Sequence, residues 1–130
     1  MKEEKKFETK IKAFLSEQGA WFVKTWSNGI QREGIPDILA CVGEHFVGIE
    51  VKAEKGHPSD LQLWSIRNIR RAGGIGIILY PEHWEMFKEM IKTIGASDFD
   101  PYYADVSWWE EQTRFDEKLN RRERRLLYGA

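Results

Sequence analysis

Residues 34–53 constrain this chain more than any others. Gly34-Ile35-Pro36-Asp37-Ile38-Leu39-Ala40-Cys41-Val42 and Phe46-Val47-Gly48-Ile49-Glu50-Val51-Lys52-Ala53 read as two strands, with Gly43-Glu44-His45 as the tight turn between them. That pattern predicts a hairpin. Asp37, Glu50 and Lys52 interrupt otherwise apolar strands. A charge beside a core is costly unless it is paired or holds a metal ion. Glu50 and Lys52 are two residues apart, so both leave the same face of their strand. Val51 between them points the other way, into apolar packing, as Ile49 and Ala53 do.

The flanking sequence supplies the layers such a hairpin needs. Phe7, Ile11, Phe14 and Leu15 recur at helical spacing and predict an amphipathic helix from about Glu3 to Gln18, stopped by Gly19. Ala20 to Trp26 reads as a strand, Ser27-Asn28-Gly29 as a turn, and Gln31 to Gly34 as a polar loop. After Gly56-His57-Pro58 a helix starts with Ser59 as cap and Gln62 three residues on. Its apolar residues are Leu61, Trp64, Ile66 and Ile69, ahead of Gly73-Gly74. Ile75-Gly76-Ile77-Ile78-Leu79-Tyr80 is short, β-branched and uniformly apolar. It fits a buried strand reached by a helical crossover, hence parallel to its neighbour. Pro81 to Ile94 reads as a further helix with Trp84, Phe87, Met90, Ile91 and Ile94 as its stripe. The order is an αβββαβ core, with a mixed central sheet flanked by helices. Residues 1–95 are expected to form this domain. Residues 96–130 read as an acidic, aromatic connector and a helix from Ser107 to Tyr128, expected to pack on the core or pair with a second subunit.

Composition narrows the class. At 130 residues, with 42% hydrophobic and 13% aromatic content, the chain is expected to be one folded domain. No apolar run reaches membrane-spanning length. The residues Met1-Lys2-Glu3-Glu4-Lys5-Lys6 lack a signal-peptide core, so a cytoplasmic protein of a bacterial or phage-infected cell is expected. The lone Cys41 excludes an intrachain disulfide, and in its apolar strand it reads as a small buried hydrophobe. The three histidines share no metal-ligand spacing, which argues against zinc. A net charge of −1 gives no bulk evidence for nucleic acid.

The local chemistry says more. Hydrolysis of a phosphodiester accumulates negative charge on phosphoryl oxygens, and a hard divalent cation offsets it. Mg²⁺ needs oxygen ligands and is held by one or two carboxylates plus waters. Asp37 and Glu50 can supply the carboxylates, and Lys52 can orient the attacking water or stabilise the transition state. Lys24, Arg32, Lys55 and His57 lie before or after these strands, where they could meet a DNA backbone. Trp26 beside Lys24 could stack on a base, though core or subunit packing is the preferred reading.

Pro36-Asp37 followed by Glu50-Val51-Lys52 resembles the signature of the PD-(D/E)XK nucleases. Gly34-Ile35-Pro36-Asp37, Ile49-Glu50-Val51-Lys52-Ala53 and Pro58-Ser59-Asp60-Leu61-Gln62 together resemble the VRR-Nuc family within that superfamily. The resemblance covers roughly residues 8–80. It implies a restriction-endonuclease-like fold and a Mg²⁺- or Mn²⁺-dependent DNA endonuclease, in some members acting on branched DNA. Stand-alone forms are similar in architecture to Holliday junction resolvases and are expected to be homodimers. A helicase or another replication or recombination protein is a further expected partner. By this resemblance Asp37 and Glu50 bind the metal, with the Val51 carbonyl as third ligand. Glu8 corresponds to a glutamate near the metal, and Gln62 lies beside the catalytic Lys52. Gln62 could equally cap its own helix. The bland alternative for Glu50 and Lys52 is a surface salt bridge on an edge strand. The rival function is a non-catalytic nucleic-acid-binding or accessory module on a nuclease fold.

Overall fold

The computed structural model describes residues 2–26 and 34–94. Its elements are α1 (Lys2–Glu17), β1 (Trp21–Lys24), β2 (Ile38–Val42), β3 (His45–Val51), α2 (Asp60–Arg71), β4 (Ile75–Leu79), a 3-10 turn (Pro81–His83) and α3 (Trp84–Thr93). The strands form one four-stranded sheet in the order β1-β2-β3-β4. β1 and β2 are antiparallel, β2 and β3 are antiparallel, and β3 and β4 are parallel. This is the mixed αβββαβ sheet that the apolar patterns predict. The expected turn at Ser27-Asn28-Gly29, Arg32, and the connector and helix expected within 96–130 lie outside the described residues.

One sheet face carries the main core. Ile38, Ala40 and Val42 of β2, Val47, Ile49 and Val51 of β3, and Ile75, Ile77 and Leu79 of β4 bury there. Phe7, Ile11, Phe14 and Leu15 of α1 pack on them together with Phe87, Met90 and Ile91 of α3. Phe14 meets the Trp84 ring edge-on, with centroids 5.5 Å apart, and so joins α1 to α3. Strand alternation places residues of the opposite parity on the other face, which α2 covers only in part. Ile66, Ile78 and Tyr80 form a small second core there, with Leu63 against it. Gly76 makes the approach of α2 possible. A Cβ at that position would stand 2.5 Å from the Ile66 carbonyl oxygen. Close packing leaves no room for it without moving the helix.

Two expectations need correction on this second face. Cys41 is exposed, because α2 packs chiefly on β3 and β4 while Cys41 lies on β2. Leu61, expected in the apolar stripe of α2, is also exposed, in the first turn of the helix that begins at Asp60. Trp26 lies beyond the end of β1 and is 66% exposed, so it does not pack in the core of this chain. Among the described residues no helix is long and apolar enough to cross a membrane.

Candidate active site

Asp37 sits at the point where the chain enters β2, and three contacts fix it. Its backbone carbonyl accepts from the Thr25 N–H at 2.9 Å and from the Thr25 hydroxyl at 3.2 Å. The same hydroxyl donates to the Pro36 carbonyl at 2.7 Å. The carboxylate is tied to the neighbouring strand, with Oδ2 accepting the Val51 N–H at 2.9 Å. Asp37 is thus locked to the residue between Glu50 and Lys52. The hairpin register does the same work at longer range, since Ile38 is paired with Ile49.

Glu50 is 2% exposed, on a strand that is covered on both faces at this end. Its Oε2 lies 3.3 Å from the Lys52 ammonium. Its Oε1 is buried with no hydrogen-bond partner. Burial pushes the Glu50 carboxyl up to about 8, the Asp37 charge adds to the rise, and Lys52 opposes it. A buried carboxylate with an unmatched oxygen is an uncommon and costly arrangement. The surface-salt-bridge alternative does not describe this pair, because both partners are largely withdrawn from solvent.

Lys24 links the sheet to α1. Its ammonium lies 2.5 Å from Glu8 Oε1 and 3.6 Å from Asp37 Oδ1. Burial alone would lower the Lys24 ammonium. The Glu8 hydrogen bond and the Asp37 and Glu8 charges outweigh burial, and the net shift is upward. Glu8 is buried on the core side of α1 beside Phe7, and Lys12 one turn on stands 3.9 Å from its Oε2. Glu8 and Asp37 are therefore brought together through Lys24.

Gln62 occupies the third position of α2 and forms a capping box. Its Oε1 accepts the Ser59 N–H at 2.8 Å, while Ser59 Oγ accepts the Gln62 N–H at 3.2 Å. The helix cap that the sequence also allows for Gln62 is present in the geometry. Lys55 and His57 are exposed on the loop between Lys52 and α2. Tyr80 anchors that loop by donating its hydroxyl hydrogen to the Gly56 carbonyl at 2.9 Å.

Thr25 was not a candidate from its sequence context, and neither was the Lys24 bridge from Asp37 to Glu8. Their one sequence signal is position. Lys24 pairs opposite Ile38, so the next residue, Thr25, arrives beside Asp37. Thr25→Val keeps the shape and removes the hydroxyl donor. It should cost about 1 kcal/mol of stability, measured by urea unfolding. It should also lower any activity of the site several-fold, because Asp37 loses its clamp. An unchanged midpoint and an unchanged rate would show that the clamp is dispensable.

The donor set suits a hard cation. Among the described residues no three or more His, Cys, Asp and Glu side chains converge to hold a metal ion by themselves. The Asp37 and Glu50 carboxylates and the Val51 carbonyl are oxygen donors of the kind Mg²⁺ takes, and Mg²⁺ keeps several waters besides. The unmatched Glu50 Oε1 beside the Asp37 charge is the observation that fits such an ion.

No curated protein and no solved structure matches the chain. A family model does match. It is that of the archaeal Holliday junction resolvase (hjc), a PD-(D/E)XK superfamily member, and it aligns to residues 2–80. That span runs from the start of α1 to the end of β4 and contains Glu8, Lys24, Asp37, Glu50, Lys52 and Gln62. The superfamily expected from the Asp37 and Glu50-Val51-Lys52 pattern is found, with the match falling on the resolvases and not on VRR-Nuc. Extending over more than half of the chain, it places this protein in the archaeal Holliday junction resolvase family.

Proposed function

We propose that the chain is a metal-dependent endonuclease of branched DNA, with the four-way junction as its preferred substrate. The observation that carries this reading is the Glu50 carboxylate, buried with one oxygen unmatched, between the Asp37 charge and the Lys52 ammonium. Asp37, Glu50 and the Val51 carbonyl are the residues that would hold Mg²⁺ or Mn²⁺. The bound ion supplies Lewis-acid stabilisation of charge on the phosphoryl oxygens and a more acidic water.

The protein groups do the rest. Val51 N–H holds one Asp37 oxygen, so the other is presented in a fixed direction. Lys52 shares its strand face with Glu50 and carries the charge that can orient the attacking water or neutralise the developing oxyanion. Gln62 serves by fixing the start of α2 behind the Lys52 loop. Lys55 and His57, exposed on the loop after Lys52, and Lys24 are the side chains this reading assigns to backbone phosphates.

A four-way junction offers two equivalent scission points, which two copies of one site would serve by symmetry. A homodimer belongs to the reading for that reason. Its support is the exposed apolar row Trp21, Cys41 and Phe46, aligned across three paired strands with Val23 beside it. Equilibrium sedimentation at micromolar concentration should return twice the 15.3 kDa chain mass. A monomer would remove the dimer from the reading.

The decisive experiment is a panel of end-labelled linear duplex, flap and four-way-junction DNAs with Mg²⁺, Mn²⁺ or EDTA. Junction arms should be cut in either metal and left whole in EDTA, with the linear duplex cut at least about tenfold more slowly. Tight junction binding with no cleavage in either metal would instead favour the non-catalytic module.

A further inference from the structure

The Lys24 ammonium stands between two carboxylates from different parts of the fold, Glu8 on α1 and Asp37 at the entry to β2. Val51 N–H already takes Asp37 Oδ2. Oδ1 is the oxygen left for a cation, and Lys24 stands 3.6 Å from it. A positive charge so close to a prospective ligand oxygen opposes a second cation there. The hold is asymmetric. Glu8 is the nearer partner and is itself buried and braced by Lys12, so it keeps the ammonium when Asp37 turns elsewhere. The Trp26 ring, with its centroid 5.8 Å from Nζ, offers a further resting place on the open side.

Resting on the metal-site reading above, we infer that Lys24 is a resident counter-cation that a divalent ion must displace from Asp37. Glu8 then acts on the site through Lys24, as a positioning residue, and not as a metal ligand. In the absence of metal the ammonium relieves the repulsion among the site's carboxylates. When metal enters, Glu8 retains the ammonium beside the site as a cation available to the substrate. Lys24 thereby sets the metal concentration at which the site fills.

Titration of the full chain with Mn²⁺ tests this without DNA, by calorimetry and by the electron paramagnetic resonance signal of free Mn²⁺. Lys24→Met removes the charge and keeps most of the stem. It should bind Mn²⁺ about tenfold more tightly than the parent. Glu8→Gln leaves Asp37 as the only carboxylate of Lys24. It should bind several-fold more weakly, whereas the same change in the Lys24→Met background should alter affinity less than about threefold. Parent-like or weaker binding by Lys24→Met overturns the inference. An equal loss from Glu8→Gln in both backgrounds makes Glu8 a ligand and overturns its positioning role. If Lys24→Met loses the parent's circular dichroism spectrum, Lys24→Gln is judged by the same criteria. A parent chain that binds no Mn²⁺ is a separate result, which overturns the metal-site reading itself.

Discussion

Asp37→Asn and Lys52→Met proteins should keep the parent's circular dichroism spectrum and lose junction cleavage by on the order of 10³-fold or more. The two substitutions separate chemistry from folding. The asparagine side chain in the first would still offer an oxygen to the Val51 N–H, so the tie between β2 and β3 survives while the charge is lost. The methionine side chain in the second keeps the hydrocarbon stem, and the backbone there can still donate its N–H to the Leu79 carbonyl, as Lys52 does at 3.0 Å. Loss of the ammonium leaves Glu50 without its ion-pair partner. That carboxyl is already pushed up to about 8, so it can take a proton near neutrality and need not unfold the strand. Cleavage of labelled junction under single-turnover conditions is the measurement. Parent rates in either purified variant would sink the assignment of the site.

Stability of the metal-free chain should fall as pH rises from about 5 to about 9, by on the order of 4 kcal/mol at most. The cause is Glu50. Its ordinary value is 4.5, and burial first, then the Asp37 charge, raises it to about 8 in the folded chain. Between those values the folded chain holds a proton that the unfolded chain has released. The sign follows: the contribution is complete below the unfolded value and is lost as pH climbs through the folded one. Lys24, raised above its ordinary 10.5, loses its own contribution only beyond that window. Urea unfolding in EDTA at several pH values reads the slope, and Glu50→Gln should flatten it. Mn²⁺ at pH 8 should restore stability to the parent and not to the variant, because an ion that binds the folded chain shifts the equilibrium by mass action. Equal slopes in parent and variant would remove Glu50 as the cause.

The strands were legible because their apolar patterns have few alternatives. The β-branched run at Ile75–Leu79 has no polar face to offer solvent, and it folds as the buried parallel strand such a run requires. Glu50 and Lys52 were legible as a pair because a two-residue spacing in a strand fixes a shared face whatever surrounds it, and they meet at 3.3 Å. The errors fall where an outcome depends on how far a neighbour extends. Cys41 reads as buried from its apolar strand, yet α2 packs chiefly on β3 and β4 and leaves it exposed. Leu61 fits a helical stripe, yet in the first turn of α2 it is left exposed. Gln62 fits both a cap and a site role from sequence, and at the start of α2 its side chain closes the capping box.

By itself the sequence determined the elements, the mixed sheet and the three ionisable residues of the hairpin, because periodicity and the cost of charge near a core act locally along the chain. Only the tertiary structure decided which charges meet. Lys24 and Glu8 are separated by a helix end and a turn, and Lys24 meets both Glu8 and Asp37 because α1 packs on the face toward which Lys24 points. Whether Glu50 is a surface carboxylate or a nearly sealed one is likewise a matter of depth. Depth is set by everything that packs around a side chain, and no spacing in one strand can encode it.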